Sequence, residues 1–162
     1  MSDVKSVNKK VKEFLGDRWE ATRGAEDNSW IVEYDSITLY LRIKEIDWYT
    51  DDWDNAIVVE FSSIILFDVE CSSKLFEHIA RTNGDSLFGA IFATASSWNE
   101  TEGYCDLVMN HRLMGNDLTK DELNLSIVAL GVVMEEFRKE YLELFGGTPV
   151  NDVDIFGDED GD

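Results

Sequence analysis

Ile37-Thr38-Leu39-Tyr40-Leu41-Arg42-Ile43-Lys44 places an apolar side chain at every second position. Successive side chains of a strand point to opposite faces, so a strict period of two marks a strand buried on one side only. That reading calls for a sheet with a core on one face. Just upstream, Trp30-Ile31-Val32-Glu33-Tyr34 reads as a short partner strand. Downstream, a loop rich in Asp and Trp (residues 47–55) leads into a longer strand over residues 56–69. There Ile57, Val59, Phe61, Ile65 and Phe67 share one face, while Val58, Ile64 and Leu66 make the other face unusually apolar.

Helical signals flank these strands. Val4, Val7, Val11, Phe14 and Leu15 recur at helical spacing among Lys5, Lys9, Lys10 and Lys12, which predicts an amphipathic helix over residues 3–15 ending at Gly16. Residues 17–28 are polar and contain glycine, the composition of a loop, with Trp19 as an anchor. Ser72 or Ser73 can cap a second helix that runs to about residue 82, where Asn83-Gly84 ends it. Two further strands follow, over residues 86–96 and 104–113, joined by a turn at 97–103. Thr119-x-x-Glu122 is a capping box, and Leu118 with Leu123 forms the matching hydrophobic staple. The stripe Leu123, Ile127, Leu130, Met134, Phe137, Tyr141, Phe145 then predicts a last helix stopped by Gly146-Gly147 and Pro149. Leu125, Val128, Val132 and Val133 lie off that stripe. Such a helix is either covered on two sides within the fold or meets a second chain.

The elements therefore read α-β-β-β-α-β-β-α, an α+β domain with an antiparallel five-stranded sheet over residues 1–148. Residues 149–162 form an acidic tail of the composition expected for disorder; from Asn151 onward it has six acids and no base. The chain's 162 residues suit a single domain, and 44% hydrophobic and 12% aromatic residues suffice for a packed core. Fourteen basic against 34 acidic side chains leave a net charge of −20 at pH 7, which disfavours nucleic acid and anionic membrane as partners. No stretch approaches 18 consecutive apolar residues, and the first residues contain no apolar leader. Cys71 and Cys105 are the only cysteines, with neither a disulfide framework nor metal-ligand spacing. A cytoplasmic protein with reduced thiols is the expectation.

No nucleophile, metal or nucleotide motif is present. His78 reads as a surface histidine, His111 as a hydrogen-bonded core residue, and the tail lacks the glycine and final glutamate of a calcium loop. The sequence therefore predicts no enzyme, no cofactor and no metal. What it does offer is surplus apolar surface. Phe88 and Phe92 alternate on one strand face and, with Tyr40, Val58 and Val108, compose a candidate peptide-binding surface. Trp48 and Trp53 in the acidic loop are a second candidate contact.

The helix ending in Asn83-Gly84, the strand with Phe88-Gly89-Ala90-Ile91, the turn near Gly103, Leu107-Val108-Met109 and Leu113, and Leu118-Thr119-x-Asp121-Glu122-Leu123 opening the last helix together resemble the type III secretion chaperone-like fold and its YbjN-type relatives. In detail the resemblance covers residues 72–145; before that it rests on element order. It implies a small acidic cytosolic bacterial protein, often a homodimer, holding an extended or partly unfolded segment of a partner. The net charge favours a basic client. An acidic inhibitor or immunity-type protein that neutralises a basic partner is the alternative.

Overall fold

The computed structural model describes residues 3–16, 18–46, 56–96 and 102–150. Among them are three helices and seven strands: α1 (Val4–Gly16), β1 (Ala21–Arg23), β2 (Ser29–Tyr34), β3 (Ile37–Ile46), β4 (Ala56–Glu70), α2 (Ser73–Asp85), β5 (Ala90–Ala95), β6 (Tyr104–Met114), α3 (Lys120–Phe145) and β7 (Thr148–Pro149). The strands form one antiparallel sheet in the order β1-β2-β3-β4-β6-β5, with β7 paired to β4 off that path. The class and element order follow the sequence reading, and the five expected strands are β2 to β6. The two extra strands are too short for a period to show: β1 has three residues and β7 two.

Strand periodicity decides which way the sheet faces its helices. Val32, Leu39, Leu41, Ile43, Val59, Phe61, Ile91, Leu107 and Met109 share one buried core with the helices. To that core α1 brings Val7, Val11 and Leu15, α2 brings Leu75 and Ile79, and α3 brings Leu123, Ile127, Leu130, Met134 and Tyr141. All three helices thus bury their apolar stripes against the same side of the sheet. Polar side chains at their margins fix the docking. Trp30 Nε1 donates to Asn8 Oδ1 at 2.8 Å, tying β2 to α1. Trp19 Nε1 donates to Asn124 Oδ1 at 2.7 Å, tying the segment after α1 to α3. The Tyr141 hydroxyl lies 3.1 Å from Thr82 Oγ1, joining α3 to α2.

The caps form as read. Ser72 Oγ accepts from the Leu75 amide and ends the non-helical approach to α2. Thr119 and Glu122 close the reciprocal capping box, and Leu118 and Leu123 are both buried beside it. The off-stripe side of α3 divides. Leu125 and Val132 are exposed, while Val133 packs on the core.

Asn83 does not end α2, as its pairing with Gly84 suggested; the helix runs on to Asp85 with Ser86 as its cap, and Asn83 serves another purpose. Its side-chain amide donates to the Ile91 carbonyl at 2.9 Å, and its Oδ1 accepts from the Ile91 amide at 2.7 Å. It therefore occupies the outer edge of β5 in the way a neighbouring strand would, which blunts an otherwise open sheet edge.

Two glycines separate packing from helix propensity. A Cβ on Gly131 in α3 would collide with the Tyr34 ring, whereas one on Gly84 in α2 would meet nothing. Gly131→Ala should therefore destabilise the chain by about 1–3 kcal/mol through overpacking. Gly84→Ala should stabilise it by about 0.5–1 kcal/mol. Urea unfolding of both variants checks the opposite signs.

Candidate functional site

The side of the sheet turned away from the helices is built from the alternate residues of the same strands. Register lays them out in rows. One row runs Ile31, Tyr40, Ser62, Asn110, Ala90 across β2, β3, β4, β6 and β5. On one side of it lies the apolar row Ile64, Val108, Phe92. On the other lies a charged row, Arg42, Glu60, Arg112, followed by Lys44, Val58, Met114. Tyr40 is 47% exposed and Phe92 48%, and Ile64 and Val108 are half-buried. A groove of about 400 Å³ opens over this face beside the β1–β2 turn, lined in part by Glu26, Ile31, Tyr40, Arg42, Glu60 and Ser62.

The charged row is internally matched. Glu60 receives Lys44 Nζ at 2.7 Å and Arg112 Nε at 2.6 Å, and Arg42 pairs with Glu26 at 2.8 Å. Burial alone would raise the Glu60 carboxyl. The hydrogen bonds and charges of Lys44 and Arg112 outweigh it and hold the group below its ordinary value. The face of a strongly acidic chain thus carries three cations. Asn110 sits in the middle row with a buried Oδ1 that has no hydrogen-bond partner among the described residues.

Of the residues expected to form a binding surface, Tyr40, Phe92 and Val108 come together on this open face. Val58 lies on it too, but it is only 4% exposed between its cross-strand partners Lys44 and Met114, so it offers little contact. Phe88 does not lie there. Gly89 takes a left-handed φ of 69°, which breaks the alternation before β5 starts at Ala90. Phe88 consequently packs on the core and stacks near His111, ring centroids 6.0 Å apart. The reading that paired it with Phe92 is corrected. Trp48 and Trp53 lie outside the described residues. Sequence reasoning passed over Ile31, Glu60, Asn110 and Arg112, since only strand register brings these separate strands into common rows.

The histidines serve packing. His111 lies on the core side between Phe61 and Phe88, and its Nε2 is buried without a partner among the described residues rather than hydrogen-bonded as expected. Burial lowers its pKa from the ordinary 6.5. His78 Nε2 lies 2.9 Å from Glu140 Oε1, with its ring edge-on to Tyr141. Among the described residues no three His, Cys, Asp or Glu side chains gather as metal ligands, and no helix is long and apolar enough to cross a membrane.

Helices on one side of an antiparallel sheet and an open, partly apolar other side place the chain in a known class of α+β domain. No family model matches the sequence, and no curated protein matches it. Among solved structures it is similar to the crystal structure of YbjN from E. coli, described there as a candidate transcription regulator. The TM-score is 0.60 at 13% identity, covering 91% of this chain and 96% of that one. The chain has a YbjN-type fold.

His111 and Glu60 separate in pH. Neutral His111 is buried, so protonation opposes folding as pH falls below 6.5, an effect that levels off below its lower folded value. The stabilisation from ionised Glu60 is complete above about 4.5 and is lost as pH falls through its depressed folded value. The urea midpoint should therefore drop in two stages on acidification. His111→Gln should remove the first stage, and Glu60→Gln should reduce the second, in which Glu122 and Glu135, also held below their ordinary value, share.

Proposed function

We propose that the chain is a non-enzymatic peptide- or protein-binding module that holds an extended segment of a partner along the open face of its sheet. The observation that carries this reading is the cluster of Tyr40, Ile64, Val108 and Phe92, apolar and accessible on a face that no helix of the described residues covers. Soluble domains rarely leave such clusters without a partner.

Face binding is favoured over addition of a strand at the edge. The outer edge of β5 is held at Ile91 by Asn83, and the opposite edge strand, β1, has three residues. A segment lying across the rows would place apolar side chains on Tyr40 and Phe92. Its polar groups would meet Asn110 and the row of Arg42, Glu60 and Arg112. The net charge of −20 acts at longer range and speeds the approach of a basic or partly unfolded client, an effect that salt screens.

The test is binding of a library of extended peptides to the full chain, scored by fluorescence polarisation. The Tyr40→Ala, Phe92→Ala double variant should weaken the best binders by tenfold or more, the equivalent of about 1.4 kcal/mol or above. With rising salt the off-rate should stay unchanged, and affinity should fall only as far as the on-rate does. Unchanged binding by the double variant would overturn the reading. Affinity that collapses with salt would point instead to an acidic inhibitor of a basic protein.

A further inference from the structure

Cys71 and Cys105 are far apart in sequence and adjacent in the fold. In the β4–β6 ladder Val69 stands opposite Cys105 and Glu70 opposite Tyr104. The Cys71 amide donates to the Gly103 carbonyl at 2.7 Å, so the ladder continues one residue past the end of β4. Residues two apart on a strand share a face, which puts Cys71 on the side of Val69 and therefore of Cys105. The two cysteines are diagonal cross-strand neighbours on one face of the sheet. Cys105 is 3% exposed and its Sγ donates to the Val69 carbonyl at 3.5 Å. Cys71 is half-buried and immediately precedes Ser72, the cap of α2. Burial first, and then a hydrogen bond with Cys71 and the nearby charges of Cys71 and Asp106, push the Cys105 thiol up to about 12.

We propose that Cys71 and Cys105 form an oxidisable thiol pair, a modification site at which a peroxide-class oxidant makes an intramolecular disulfide between β6 and the entrance of α2. Cys71 is the sulfur within reach of the oxidant. Its thiolate, having released its proton to solvent, attacks one peroxide oxygen; the O–O bond breaks, and the departing hydroxide takes up a proton as water. Cys71 is left as the sulfenic acid. The Cys105 sulfur then displaces that oxygen. An S–S bond forms, the S–O bond breaks, and the Cys105 proton leaves with the oxygen as a second water. Two thiols and one peroxide thus become one disulfide and two waters. Cys105 stays protonated until this second step, so Cys71 reacts first.

The inference is independent of what the open face binds. It is tested on the full chain under native conditions with hydrogen peroxide, followed by thiol titration in denaturant and mass spectrometry. Both thiols should disappear together, the mass should fall by two hydrogen atoms, and dithiothreitol should restore both thiols. Proteolysis should yield a linked peptide containing residues 71 and 105. In the Cys71→Ser variant the remaining Cys105 thiol should survive the same treatment. Oxygen added to Cys71 while Cys105 remains a free thiol would overturn the assignment, as would a disulfide between two chains.

Discussion

Backbone groups inside a sheet need partners on both edges, and β4 must find them over fifteen residues. β6 pairs with it from Val58 to Glu70. On the other edge β3 pairs only from Ala56 to Ser62. The second half of β4 lacks a neighbour there, and β7 supplies one, with Pro149 opposite Leu66 and Thr148 opposite Phe67. This need sets how α3 must end. Gly146 and Gly147 both take left-handed φ values, 73° and 103°, turning the chain back along β4. A Cβ on Gly147 would press on the Phe67 carbonyl oxygen at 2.9 Å and on Val69 at 2.8 Å. The glycine pair that the sequence marks as a helix stop is thus also the hinge that completes the central strand.

The same strand sets where the sheet bends. Register shifts fall between Ile64 and Leu66 and again between Leu66 and Val69, with Asp68 at a φ of 51°. Asp68 Oδ1 accepts from Ser96 Oγ at 2.6 Å, and its amide donates to Asp106 Oδ1 at 3.2 Å, so side chains absorb what the broken ladder releases. The irregularity explains Leu66, one of the residues that make β4 look apolar on both faces in sequence. Ile65, Leu66 and Phe67 are all buried because alternation fails there. It also precedes the stretch where Cys71 comes to lie diagonally across the ladder from Cys105.

Local signals were legible in the sequence, and relations between distant residues were not. The period of β3, the Ser72 cap and the Thr119–Glu122 box each depend on side chains a few positions apart, and each is where the sequence puts it. Phe88 shows the opposite case. Its assignment assumed unbroken alternation through Gly89, a residue able to take the left-handed φ that moves everything before it to the other face. The charged row Arg42–Glu60–Arg112 and the Cys71–Cys105 contact depend on register between strands far apart in the chain. Spacing along one segment holds no record of either.

One-sided covering also bears on the contact that the proposed binding mode would make. A sheet can bind through an edge, where backbone hydrogen bonds dominate, or through a face, where side chains dominate. Asn83 spends its amide on the β5 edge, which shifts the balance toward the face. There Glu60 draws Lys44 and Arg112 into fixed positions, and Glu26 holds Arg42. Paired cations cost less to cover than free ones, because a partner laid over them strips water from a charge already neutralised. The apolar row can therefore bury its area without leaving an uncompensated charge beneath the bound chain. A free Arg or Lys at those positions would oppose the docking proposed on Tyr40 and Phe92.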